Sequence, residues 1–342
     1  MDQNAEILKN AIEDSLEIIE QDREKEIISR RFGLKGSKET LEQIGEMLSI
    51  TRERVRQLEK AILIRLQICA EEGEIPELAP AEKLLIRNLT EMGRVAKLTD
   101  LADKVYGRET TSEERSGIYF IATFAQSLSV VEENDKYNVA IGIAEYGDSL
   151  KIRSRVDEIV KVIRENKQPM TLDELDNKLN YEHPDYIKAV ASISKLLATL
   201  NGVWGLAKWP SVNPKNIRDK IFVILETKKE PMHFSEIAKE IRESNFKRKN
   251  VTVQAIHNEL IKDDRFVLIG RGIYALSSWG YKKGTISEII ESVLKKANGP
   301  LTREEIVKHV LHVRKVKETT ILLNLQNKKL FKKVGRNSYT LA

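Results

Sequence analysis

With 342 residues, 32% of them charged and 41% hydrophobic, and a net charge of +5, the chain is too long for one compact core of this composition and divides into several helix-rich domains. No apolar run approaches the ~18 residues needed to span a bilayer, and no signal-peptide pattern opens the chain. The single cysteine, Cys69, excludes an internal disulfide and a cysteine-based zinc site.

The first 22 residues read as a charged amphipathic helix with Ile7, Ile12, Leu16 and Ile19 on one face. Residues 40–66, TLEQIGEMLSITRERVRQLEKAILIRL, then read as a helix, a tight turn and a second helix. Leu41, Ile44, Gly45 and Leu48 keep helical spacing, and Ser49 and Ile50 make the turn, with Ile50 plugging between the helices. Thr51 stands at an N-cap, where its hydroxyl accepts free N–H groups of the following turn. Val55, Leu58, Ile62 and Leu66 form one buried stripe, which leaves Arg52, Glu53, Arg56, Gln57 and Lys60 on the exposed face. The start of the second helix of a helix-turn-helix enters the DNA major groove. Arginine there pairs with guanine, glutamine with adenine, and glutamate accepts from cytosine N4–H.

The segment REKEIISRRFGL followed by TLEQIGEMLSITRERVRQLEKA resembles region four of primary bacterial sigma factors, which reads the −35 promoter element. The resemblance covers residues 23–67, roughly an eighth of the chain. It implies that Arg52, Glu53, Arg56 and Gln57 face bases, with Thr51 and Lys60 on the backbone. It also implies that the stretch Glu24–Leu34, with Ile27, Ile28, Arg31 and Phe32, docks the flap of the polymerase β subunit. A complete sigma factor needs an aromatic-rich region two, and no aromatic residue precedes Phe32. The expectation is therefore a sigma-like reader and not a complete sigma factor.

Two prolines in GEIPELAP mark residues 71–79 as a linker. Beyond it a weak repeat of about 65–75 residues appears. Its first mark is a helix entry: KLTDLADKVYG, PMTLDELDNKL, PMHFSEIAKEI and PLTREEIVKHV. Pro169, Pro231 and Pro300 hold equivalent places, Leu101, Leu175, Ile237 and Ile306 share the inward position, and Thr99, Ser235 and Thr302 stand where N-caps form. The second mark is a short hairpin with an aromatic, as in NGVWGLAKW and GRGIYALSS. Helix, short strand or loop, helix pair and two-stranded wing make a winged helix-turn-helix. The predicted units are 80–146, 150–212, 214–281 and 284–342, and the fold class is mainly α with small β-hairpin wings.

The third unit, with its ending RFVLIGRGIYAL, resembles the HARE-type helix-turn-helix family. That family includes the N-terminal domain of the RNA polymerase delta subunit and modules of chromatin regulators and restriction enzymes. In this unit Asn250 or Thr252 starts the second helix of the pair, Lys247, Arg248 and Lys249 cluster before it, and Arg271 sits on the wing. In the fourth, Arg314, Lys315 and Lys317 precede the equivalent helix, and Lys332, Lys333 and Arg336 lie on the wing. Residues 214–342 carry 27 Lys+Arg against 14 Asp+Glu, a charge of +13, whereas residues 1–213 carry 30 against 38, or −8. The basic zone suits DNA backbone contact, and the two acidic units suit protein contact.

The five histidines are His183, His233, His257, His309 and His312. The i,i+3 pair His309 and His312 lacks a third ligand and reads as a surface pair. No phosphate loop, dinucleotide fingerprint or nucleophile elbow occurs, so no enzyme activity, cofactor, metal or small-molecule substrate is expected. The expected partners are double-stranded DNA and the RNA polymerase core, in the cytoplasm at the bacterial nucleoid. The alternative is a delta-like accessory protein that docks polymerase and reads no bases. A third reading, the targeting half of a DNA-modifying enzyme, rests on the family's company alone.

Overall fold

The computed structural model describes residues 3–181, 184–281, 283–297, 299–314 and 316–342, so His183 and Lys315 lie outside it. Among these residues the protein forms sixteen α-helices and four three-stranded antiparallel sheets, divided between two compact units, Met1–Lys208 and Trp209–Ala342. None of the helices is long and apolar enough to cross a membrane.

The first unit opens with α1 (Gln3–Glu17), α2 (Asp22–Phe32), α3 (Leu41–Leu48) and α4 (Arg52–Glu71). A winged unit follows: α5 (Leu78–Glu91), β1 (Val95–Lys97), α6 (Leu98–Tyr106), α7 (Ser112–Phe124), β2 (Leu128–Val131) and β3 (Ala140–Ile143). A second repeats the order: α8 (Ser149–Asn166), β4 (Met170–Thr171), α9 (Leu172–Leu179), α10 (Pro184–Ile193), β5 (Leu197–Leu200) and β6 (Val203–Leu206).

The opening helix is not free-standing. Leu8, Ala11 and Ile19 share one core with Ile28 and Phe32, with Ile62 and Leu66 of α4, and with Phe120 and Phe124 of α7. Each fully buried Leu, Ile or Phe contributes about 1.5–3 kcal/mol, enough to hold a helix that would be marginal alone. The segment expected as a linker is packed as well. Ile75 and Leu78 are 3% and 4% exposed in the same core, because two apolar side chains beside the prolines have an open face to fill. Pro80 falls in the first turn of α5, where a missing N–H costs nothing.

The second unit carries the other two winged folds. One is α11 (Ile217–Lys228), β7 (Met232–His233), α12 (Phe234–Glu243), α13 (Val253–Lys262), β8 (Phe266–Gly270) and β9 (Ile273–Leu276). The other is α14 (Ile286–Ala297), β10 (Leu301–Thr302), α15 (Arg303–Val313), α16 (Glu318–Leu325), β11 (Phe331–Lys333) and β12 (Ser338–Leu341).

Each wing gains a third strand. The short strand after the first helix pairs with the last strand, giving the orders β1-β3-β2, β4-β6-β5, β7-β9-β8 and β10-β12-β11. Pro169, Pro231 and Pro300 each stand immediately before that strand, a position that needs no ladder N–H. The residue after each proline faces the wing aromatic: Met170 opposite Trp204, Met232 opposite Tyr274, and Leu301 opposite Tyr339. Leu101, Leu175, Ile237 and Ile306 are all fully buried. Thr302 caps α15, but Thr99 and Ser235 lie inside the first turns of α6 and α12. Those helices start two residues earlier, and at α12 the His233 ring accepts from the Ser235 N–H in place of a hydroxyl. Arg314 is not part of a basic entry to α16. It is buried, and its guanidinium donates to the carbonyls of Leu268 and Gly284.

Candidate nucleic-acid interface

Thr40 starts the site with a reciprocal cap: its hydroxyl accepts from Gln43 N at 3.2 Å and its N–H donates to Gln43 Oε1 at 2.8 Å. The first helix stops at Ser49, which takes the left-handed conformation at φ 54°. The chain then folds back so tightly that a Cβ on Gly45 would lie 2.8 Å from the Ile50 carbonyl oxygen. That close approach explains the glycine. Ile50 packs with Ile27, Ile44 and Val55, and this small core sets the angle between α3 and α4. Thr51 caps α4 by accepting from Arg54 N at 3.2 Å.

The stripe Val55, Ile62, Leu66 and Cys69 faces inward, so the opposite face of α4 is solvent. Arg52, Glu53, Arg56, Gln57 and Lys60 are all exposed, as is Thr51. They are not free side chains. Arg52 pairs with Glu42 of α3 at 3.3 Å, and Arg56 donates to both Glu53 oxygens at 2.8 and 2.6 Å. The Arg56 guanidinium holds the Glu53 carboxyl below its ordinary value. Arg54, which the periodicity did not single out, joins the same network by donating to Gln57 Oε1 at 3.4 Å. Exposed pairs of this kind are worth roughly 0–1 kcal/mol and give way readily to a better partner. The face can therefore open towards phosphates and base edges.

Of the residues expected to dock polymerase, Ile27 and Ile28 are fully buried and Phe32 is 4% exposed. Ile27 belongs to the helix-turn-helix core, and the Phe32 ring packs edge-on against Phe120, with centroids 5.1 Å apart. These three side chains shape the surface from beneath and present no atoms on it. Arg31 reaches the surface and bonds Glu59 at 3.1 Å.

The winged units divide sharply in what they leave open. In the first, the second helix of the pair, α7, buries Ser116, Gly117, Ile118, Phe120, Ile121, Ala122 and Phe124. A Cβ on Gly117 would lie 2.5 Å from Ile12 Cδ1, so α7 is covered by α1. In the second, α10 lies against the turn before β1, where a Cβ on Gly93 would meet the Asp185 carbonyl oxygen at 2.6 Å. Asn138 Nδ2 and Lys195 Nζ reinforce that seat with bonds to the Ile193 carbonyl at 3.0 Å and to Glu133 at 2.6 Å. Neither helix has a face left for a groove. The signal was present for α7: SGIYFIATF is apolar all round, the mark of a buried helix.

The second unit is open. Thr252 caps α13, whose Gln254, Asn258 and Lys262 are exposed. Lys247, Arg248 and Lys249 are exposed before it. Arg248 has φ 54°, and its carbonyl accepts from the buried Lys220 ammonium at 2.8 Å. Arg271 at one wing tip, and Lys332, Lys333 and Arg336 on the other wing, are exposed too. Among the described residues none of these four has a carboxylate partner, unlike Arg52 and Arg56. Among the described residues no three His, Cys, Asp or Glu side chains converge as a metal site.

Helix-turn-helix folds with a solvent-facing reading helix define this as a DNA-binding, transcription-related protein. The sigma-70 region 4 family matches residues 21–67, and the HARE-HTH family, a helix-turn-helix domain of ASXL and restriction endonucleases, matches residues 217–279. Over 63 residues the chain is 43% identical to the RNA polymerase sigma factor SigA of Listeria monocytogenes, a stretch that covers 18% of this chain and 17% of that protein. The SigA of Listeria innocua is matched to the same extent. The chain thus spans less than a fifth of the length of these curated relatives.

Proposed function

We propose that this protein is a transcription factor that works with bacterial RNA polymerase and reads a −35-type element through α4. Arg52, Glu53, Arg56 and Gln57 contact bases, while Thr51 and Lys60 meet the flanking phosphates. The carrying observation is the exposed polar start of α4 behind a capped, left-handed turn, in a unit whose α7 and α10 are spent on internal packing. Lys247, Arg248, Lys249, Arg271, Lys332, Lys333 and Arg336 add sequence-independent backbone contacts. The surface over Ile27, Ile28 and Phe32, with Arg31 at its edge, is the part offered to the polymerase β flap.

The test is selection of bound duplexes from a random pool, run beside capture of core polymerase by the tagged chain. Enrichment of a −35-like hexamer that disappears in Arg52→Ala with Gln57→Ala supports the reading. A second reading is favoured by the ion pairs that already engage Arg52 and Arg56. It is an accessory protein that docks polymerase and reads no bases. Polymerase capture without any enriched duplex, unchanged by those substitutions, would select it.

A further inference from the structure

The first unit holds a cleft of about 330 Å³ that has no part in the helix-turn-helix. That volume lies at the small end of ligand pockets, which run from about 300 to 1,000 Å³. The cleft forms where the first two winged folds meet. Three cations line it, Arg94, Lys151 and Arg155, together with three tyrosines, Tyr146, Tyr181 and Tyr186, and one carboxylate, Glu145. Such a cationic lining stands out because residues 1–213 together carry a charge of −8.

The lining is built from well-fixed parts. Arg94 follows the Gly93 turn and holds φ 71°, a conformation that costs a non-glycine residue strain. Its backbone is held by bonds to Leu89 O at 2.7 Å and from Ile143 N at 3.0 Å, and its guanidinium lies 3.8 Å from the centroid of the Tyr146 ring. The Arg155 guanidinium lies 4.5 Å from the Tyr181 centroid. The Tyr181 hydroxyl donates to Glu158 at 2.7 Å, and its ring meets Tyr186 edge-on at 5.7 Å. Lys151 lies across Gly147, with its side chain exposed. Among the described residues neither Arg94 nor Lys151 has a carboxylate within ion-pair distance.

We propose that this cleft between the first two winged folds binds a nucleotide, its base on the tyrosine and arginine planes and its phosphates on Arg94, Lys151 and Arg155. Aromatic rings and guanidinium planes together stack any base, because every base has a π-face. Arginine forks and a lysine point charge are the side chains that hold phosphate oxygens. Glu145 sits at the rim, where it accepts from a ribose hydroxyl or an exocyclic amine. A free nucleotide and the phosphorylated end of a single strand share this chemistry.

The experiment uses the full chain and mant-ATP, read by fluorescence anisotropy and displaced by ATP, adenosine, inorganic pyrophosphate or a 5′-phosphorylated single-stranded pentanucleotide. ATP is expected to displace the probe saturably, with adenosine and pyrophosphate each weaker by about tenfold or more, since each lacks one half of the contacts. Arg155→Gln and Tyr146→Leu are expected to weaken binding about tenfold. Lys151→Gln, at an exposed position that leaves the fold intact by circular dichroism, is expected to weaken it severalfold. The competitor with the higher affinity, ATP or pentanucleotide, identifies the source of the nucleotide, provided that its binding falls in the same variants. Absence of saturable binding at millimolar probe overturns the proposal. So does affinity unchanged in Lys151→Gln and Arg155→Gln, or pyrophosphate competing as well as ATP.

Discussion

Arg56 grips Glu53 through two hydrogen bonds of 2.8 and 2.6 Å, one turn apart on the exposed face of α4. This cation of the reading face is therefore held by a neighbouring carboxylate before any DNA arrives. Removing that carboxylate charge frees the guanidinium for phosphate. Glu53→Gln is expected to raise affinity for random duplex, with the salt dependence steeper by about one phosphate equivalent. It is also expected to blur selectivity at one base position, because a glutamate that accepts from cytosine is lost. Anisotropy titrations over a salt series would check both. Unchanged slope and selectivity would place Glu53 and Arg56 outside the interface.

Arg52 poses a different case. Its pair with Glu42 spans 3.3 Å with both side chains 65% exposed, so the pair adds less than about 1 kcal/mol to folding. Arg52→Ala should leave the melting temperature nearly unchanged and still cost roughly 1–3 kcal/mol on the preferred duplex. An equal loss on every duplex would make Arg52 a phosphate contact.

The Gly93 turn is the seat of α10. Gly93 has φ 91°, and a Cβ there would lie 2.6 Å from the Asp185 carbonyl oxygen. Gly93→Ala is expected to destabilise the first unit by about 2 kcal/mol or more, since backbone strain and a steric clash act together. Gly73 is the control: it has φ 75° with nothing within 4 Å, so Gly73→Ala should cost only about 1–2 kcal/mol. Urea denaturation of both variants would separate the two terms.

The basic turn before α13 is expected to carry backbone contact. Replacing Lys247, Arg248 and Lys249 with alanine in the full chain should lower the salt slope of binding to random duplex by roughly one to three units. The Arg248 carbonyl still receives the Lys220 ammonium at 2.8 Å, so the turn should keep its shape. Burial holds that ammonium below its ordinary value and the Arg248 charge pushes it the same way, so losing the arginine relieves Lys220. A slope that does not move would shift the contact to Arg271 or the last wing.

Tyr137 supplies a test at alkaline pH. Burial, and then its bond to Asp157, push its phenol up to about 12. A raised phenol binds its proton more tightly when folded. The stabilisation is complete below the unfolded value near ~10 and is lost as pH rises from there to about 12. The melting temperature of wild type should fall more steeply across that window than that of Tyr137→Phe. Parallel curves would show that the Tyr137 phenol has the same value folded and unfolded.

Local periodicity alone determined the helices, the inward places of Leu101, Leu175, Ile237 and Ile306, and the exposure of Arg52, Glu53, Arg56 and Gln57. A 3.6-residue repeat states which face of a helix is apolar, and a cap states where the helix begins. It does not state what covers a face. That Ile27, Ile28 and Phe32 lie in cores, that α7 is sealed by α1, and that α10 seats on Gly93 were decided by tertiary packing. The clearest case is the cleft of Arg94, Tyr146, Lys151, Arg155, Tyr181 and Tyr186. Their separation in the chain leaves no spacing to read. They meet because two winged folds bury apolar surface against each other, and that burial positions the polar residues around its edge.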